Sequence, residues 1–238
     1  MAESARVLIF SEQQKAFLNR LGVPANRIAV IPNGVDPDRY APGPSDFKAE
    51  CEARMLFVYQ GRLAPEKNVE ALLRAWYQAE MPVGCKLALM GGGPLEATLK
   101  LSYSSDPNVL WLGFVGSPAR RLEILRAADV FVLPSLVEGL SLSLLEAMAC
   151  GVACMATDVG ADGEALAEAG LVLDPHEAVS QLRTLLPVLA TYPEMTQLLG
   201  MKARQRVLER YTLHQNISTL EQVYASIAGA RQVALPVL

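Results

Sequence analysis

The chain has 238 residues, of which 51% are hydrophobic, and a formal net charge of −4. That length allows one large domain or one and part of another, and that apolar content excludes disorder as a description of the whole. No basic run is present, so nucleic acid is not expected as a partner. Charge is nevertheless uneven. Between Arg126 and Arg183 there is no Lys or Arg but there are nine Asp or Glu residues. An anion bound to that stretch needs backbone N–H groups or cations folded in from elsewhere. The four cysteines form no CxxC pair and no metal-ligand grouping with the two histidines, and read as buried free thiols. With no signal-peptide pattern and no apolar run of bilayer length, the expectation is a cytoplasmic protein. Peripheral docking at the inner membrane face stays open.

Strand and helix patterns alternate along the chain. "RVLIF" (6–10) reads as a strand and Ser11–Arg20 as a capped helix; "IAVI" (28–31) is a second strand, closed by the turn "PNGVD" (32–36). Residues 40–54, rich in Pro, Gly and charge, read as a linker. "MLFVYQ" (55–60) is then a strand and Glu66–Ala79 a helix, with Leu72, Leu73 and Trp76 on its apolar face. "KLALM" (86–90) runs into "GGGP" and a helix from Leu95. Further strands are "VLWL" (109–112), "VFVLP" (130–134), "ACMAT" (153–157) and "LVL" (171–173). After Pro175 the pattern is helical over 176–190, 194–209 and 212–228, with Gly229 as the expected stop and 229–238 as a tail. Apolar strands alternating with amphipathic helices predict an α/β fold, a doubly wound parallel sheet with a C-terminal helical segment. Ligands in such sheets bind beyond the carboxyl ends of the strands, which selects the loops after residues 60, 90, 112, 134 and 157.

In "QGRLAPEKN" (60–68), Arg62 and Lys67 flank a strand end and an expected helix N-terminus, where N–H groups and the helix dipole favour an anion. Two solvated surface cations are the alternative. "GGGP" (91–94) lets backbone approach a ligand closely, or is simply a tight turn. It is not the dinucleotide fingerprint, because Glu96 stands where a glycine is required. "EGLSLSLLEAMACG" (138–151) is more specific. The helix begins at Gly139 or Ser141, the N–H groups of Gly139 to Leu142 point into the crevice, and Ser143, Glu146 and Cys150 share a stripe. Two carboxylates on either side of a helix N-terminus suit a hydroxyl-rich ligand such as a sugar nucleotide. A thin solvent stripe is the alternative.

These residues resemble the E-x7-E motif of the retaining GT-B glycosyltransferases of group 1 (family 4). "PNGVD" (32–36), "GRLAPEKN" (61–68), "GGGPL" (91–95), "LGFV" (112–115), "ADVFVLPS" (128–135) and "ATDVGADGEAL" (156–166) follow the family's order from about residue 5 to residue 228. The resemblance implies one half of a GT-B fold, with a sugar-nucleotide-binding Rossmann-like domain at 55–228. Residues 1–39 would be the last strand and helix of an N-terminal acceptor domain otherwise missing from this chain. It implies that Arg62 and Lys67 grip the diphosphate and that Glu138 contacts the donor sugar, these three being the catalytic set. Glu146 would accept from the ribose hydroxyls and be buried because its partners arrive with the ligand. Gly61, Gly92, Gly93, Gly139, Leu140, Ser141 and Leu142 would lie against the donor, with Phe114 and Val115 beside the nucleobase. The donor would be a UDP-sugar or GDP-sugar, bound without metal or other cofactor, and the acceptor a carbohydrate or a lipid-linked one. Departures from the pattern at Ser141, at Ala153-Cys154 and at Gly160-Ala161 bear on sugar specificity. The alternative function is a non-catalytic sugar-nucleotide-binding module.

Overall fold

The computed structural model describes residues 6–233. β1 (Val7–Ile9) and β2 (Ile28–Val30) pair in parallel, Val7 opposite Ile28, as a small sheet of their own, with α1 (Glu12–Arg20) as the crossover. Six further strands make the main sheet. They are β3 (Met55–Gln60), β4 (Cys85–Met90), β5 (Val109–Gly113), β6 (Val130–Leu133), β7 (Ala153–Thr157) and β8 (Leu171–Leu173). All pair in parallel, in the order β5-β4-β3-β6-β7-β8. The chain winds outward from β3 to β5, then returns to β6 and winds outward the other way. That reversal opens a crevice between the carboxyl ends of β3 and β6.

The apolar runs become the sheet because helices cover both faces. β6 and β7 are buried at every position and β3 at every position except Gln60, as a parallel sheet requires. α3 (Val69–Gln78) buries Val69, Leu72, Leu73 and Trp76, with Trp76 set edge-on to Phe57 at 5.4 Å. α4 (Glu96–Tyr103), α5 (Pro118–Ala127), α6 (Leu142–Ala149) and the short α7 (Asp162–Leu166) complete the crossovers. Cys85, Cys150 and Cys154 are buried and Cys51 half-buried, all of them free thiols. Among the described residues no helix is long and apolar enough to cross a membrane.

Three expectations are corrected. The segment 40–54 is no loose linker, because a one-turn helix, Phe47–Glu50, buries Phe47 under the Arg120 guanidinium, and Lys48 pairs with Asp129 at 2.7 Å. The apolar residues of this stretch, Tyr40 and Phe47 chief among them, are too far apart to show a period, so the docking was invisible locally. The helix expected from Glu66 is a 3-10 turn, Pro65–Lys67, cut off by Asn68 in the left-handed conformation (φ 50°), and α3 starts only at Val69. Finally, after helices Ala178–Thr191 and Pro193–Arg210, the last helix runs Leu213–Val233, straight past Gly229. A single glycine costs a helix only about 1 kcal/mol, too little to end one. Residues 234–238 of the expected tail, and residues 1–5 of the expected first segment, lie outside the described residues.

Candidate active site

Three loops at the carboxyl end of the sheet are joined through their backbones. Gly61 N donates to Met90 O at 3.0 Å, Leu63 N to Gly92 O at 2.9 Å, Leu95 N to Leu63 O at 3.0 Å and Gly91 N to Gly113 O at 2.8 Å. Buried Tyr59 donates its hydroxyl to Arg62 O at 2.8 Å, fixing the same loop from below. Gly91 has φ +149°, and a Cβ there would overlap the Gly61 carbonyl; a Cβ on Gly93 would overlap the Leu63 carbonyl. Close packing against the neighbouring loop therefore accounts for both glycines without a ligand. Gly92 differs, since a Cβ there would meet only the flexible end of Glu96.

Above these loops lies a cleft of about 420 Å³. Of the expected residues, Gly61, Arg62, Gly92, Phe114, Val115 and Glu146 line it. Gly91, the first glycine of "GGGP", lines it too, and so do Gln60, Met90 and Arg121, which the sequence did not single out. The only local signals were a polar residue closing an otherwise apolar strand and a cation on α5. Among the described residues the Arg62 guanidinium is exposed and has no hydrogen-bond or ion-pair partner. Arg121 Nη1 donates to the carbonyls of Val115 at 3.1 Å and Gly116 at 3.4 Å, bracing the loop that carries Phe114. Glu146 was expected to be buried and to await its partners, but it is half-buried and already has a protein partner: Gln60 Nε2 donates to its Oε2 at 2.9 Å. Tyr40 faces it too, and burial, then the hydrogen bond to Glu146 and that carboxylate's charge, push the phenol above its usual pKa against the pull of Arg39 and Arg121.

Lys67, Glu138, Gly93 and Gly139 to Leu142 do not line this cleft. Lys67 Nζ pairs with Glu138 Oε1 at 2.6 Å, with side chains 22% and 9% exposed, and Ser135 Oγ donates to the same oxygen at 2.8 Å. The expected phosphate cation and sugar carboxylate thus neutralise one another beside the cleft. Ser141 caps α6, its Oγ accepting from Leu144 N at 3.4 Å. Its own amide does not point free into the crevice as expected, because it donates to Asp162 Oδ1 at 2.8 Å. Leu140 is buried and its carbonyl accepts from Asn33 Nδ2 of the "PNGVD" turn at 2.7 Å. Gly139 accepts from Ala161 N at 2.7 Å and backs onto Phe10, whose ring leaves no room for a Cβ. Leu142 is 52% exposed.

Asp162 is fully buried and its Oδ2 has no protein partner. Burial raises its pKa to about 7, with the Glu138 charge adding to this and the Ser141 N–H and Lys67 opposing it. The folded state therefore binds a proton more tightly than the unfolded chain. The stability this group contributes is complete below about pH 4 and lost as pH rises to about 7. Asp162→Asn should remove that slope from a plot of unfolding free energy against pH, and an unchanged slope would place the titration elsewhere.

A doubly wound parallel sheet with cations and a carboxylate gathered at its carboxyl end has the architecture of a Rossmann-like domain. Residues 54–189 match the family "Glycosyl transferases group 1", and the chain belongs to that family. One relative is the UDP-Gal:alpha-D-GlcNAc-diphosphoundecaprenol alpha-1,3-galactosyltransferase of Escherichia coli, 26% identical over 92% of this chain and 59% of its own length. Another is the GDP-mannose-dependent alpha-(1-6)-phosphatidylinositol monomannoside mannosyltransferase of Mycolicibacterium smegmatis, 31% identical over 88% of this chain and 59% of its own length. Among solved structures, sucrose-phosphate synthase from Thermosynechococcus elongatus superposes with a TM-score of 0.81 at 26% identity, covering 94% of this chain and 58% of that one. A C-terminal domain of a group 1 glycosyl transferase from Francisella tularensis is covered completely, with a TM-score of 0.67 at 22% identity over 76% of this chain. The fold is thus that of the C-terminal half of a GT-B glycosyltransferase. The chain spans about 59% of the length of the two curated relatives.

Proposed function

We propose that this chain is the donor-binding half of a retaining glycosyltransferase that uses a UDP-sugar or GDP-sugar. The observation that carries the reading is the cleft itself, which brings two guanidinium-bearing residues, Arg62 and Arg121, to the same sheet end as the carboxylate of Glu146. A nucleoside diphosphate needs this combination: cations for the phosphates, a fixed acceptor for the ribose hydroxyls and apolar surface for the base, here Met90, Phe114 and Val115. The printed activities of the two relatives, one UDP-Gal-dependent and one GDP-mannose-dependent, support a nucleotide-diphospho-sugar and leave the base between those two. Their acceptors, a diphosphoundecaprenol-linked sugar and a phosphatidylinositol mannoside, support a carbohydrate or lipid-linked acceptor. We place that acceptor on a second domain, beyond the small β1–β2 sheet.

In the reaction, the bond from the anomeric carbon to the diphosphate oxygen breaks. The acceptor hydroxyl forms the new bond on the same face and loses its proton, and the nucleoside diphosphate departs with both bonding electrons. Negative charge grows on the leaving phosphate, so preorganised donors there lower the barrier more than they stabilise the ground state. Arg62 supplies such a donor directly. Lys67 supplies one once the arriving sugar competes for Glu138. Calorimetric titration with UDP and GDP tests the donor assignment. One of the two should bind, and Glu146→Ala should weaken it at least roughly tenfold, the scale of a lost charge-assisted hydrogen bond. Binding of neither nucleotide, or equal affinity in the variant, overturns it.

A further inference from the structure

Glu146 is oriented before any ligand arrives: Gln60 Nε2 donates to its Oε2 at 2.9 Å. An ionised carboxylate offers about four lone-pair positions, so enough remain for an incoming pair of neighbouring hydroxyls. Tyr40 is buried, and its carbonyl accepts from Arg204 Nη1 at 3.2 Å. The same guanidinium reaches the Ala149 carbonyl at the end of α6. The Tyr40 backbone is therefore tied to the helix that carries Glu146. Gln60 in turn closes a strand whose other residues are all buried.

Gln60 keeps this orientation at a cost. With Nε2 turned to Glu146, its own Oε1 is buried with no protein partner, and the reverse orientation would set two acceptors against each other. An apolar side chain at the same place would leave no such orphan. A role confined to packing gives no reason to hold an amide there.

We propose that Gln60 is a positioning residue for Glu146, presenting its carboxylate to the vicinal hydroxyls of the donor's ribose. This rests on the donor reading above. The test is calorimetric titration of the full chain with UDP and GDP, using Gln60→Leu in the native background and combined with Glu146→Ala. The single substitution should weaken the bound nucleotide roughly 3–10-fold, and that loss should vanish once Glu146 is alanine. Equal losses in both backgrounds mean packing alone and overturn the proposal. A Glu146→Ala variant that binds normally overturns the donor reading itself and takes the proposal with it.

Gln60→Glu gives a separate signature. Two carboxylates this close cannot both ionise, so its nucleotide binding should fall as pH rises through neutrality. The other groups at this spot are the Tyr40 phenol and the nearby guanidiniums of Arg39 and Arg121. A pH profile matching that of the native chain overturns the assignment of Gln60. Should Gln60→Leu fail to fold, Gln60→Glu carries the test.

Discussion

Gly91→Ala is expected to lower the unfolding free energy by more than about 3 kcal/mol, the range of mutations that force a clash or an unnatural backbone. Both conditions hold here. The residue has φ +149°, a region that L side chains avoid, and the new Cβ would press on the carbonyl of Gly61. That carbonyl cannot retreat, because Gly61 N is bonded to Met90 O and Gly91 N to Gly113 O, which anchors both loops to the sheet. Gly92→Ala serves as the comparison, since its Cβ meets only the flexible end of the Glu96 side chain; its stability should change by less than about 1 kcal/mol. Urea unfolding midpoints of the two variants decide the matter. Similar midpoints would show that the loops yield more readily than their hydrogen bonds imply.

Arg62→Ala and Lys67→Ala should part company, although the resemblance gives both the same role on the diphosphate. Arg62 is exposed and unpartnered among the described residues, so its loss should weaken nucleoside diphosphate binding by about 1.5–3 kcal/mol and leave the unfolding midpoint unchanged. Lys67 neutralises a carboxylate that is 9% exposed. Removing it strands Glu138 with only Ser135 as a partner, so stability falls along with affinity. Lys67→Ala combined with Glu138→Gln should then recover much of the stability but none of the binding. If Lys67→Ala melts like the native chain, the ion pair at 2.6 Å contributes little and Lys67 is as free to move as Arg62.

The strands of the main sheet were legible because burial on both faces of a parallel sheet writes itself as an unbroken apolar run, as in "MLFVYQ" and "VFVLP". The glycine-rich loop and the helix that carries Glu146 were legible too, since a tight turn and a helical stripe are properties of neighbouring residues. Elements with little local pattern were not: the single turn at Phe47–Glu50, the break at Asn68 and the continuation of the last helix past Gly229. Gly93 shows a subtler limit, for its glycine is explained by the Leu63 carbonyl that packs against it.

By itself, then, the sequence determined the fold class and the family, and pointed to the carboxyl end of the sheet as the place for a ligand. Only the tertiary structure decided the partners: Gln60 on Glu146, Lys67 on Glu138, Asp162 on the Ser141 amide. The reason is topological. Periodicity within a run reports which face of an element is buried, whereas pairing β3 with β6 brings Gln60 beside a helix 86 residues further along the chain, and no local pattern encodes which strand lies next to which.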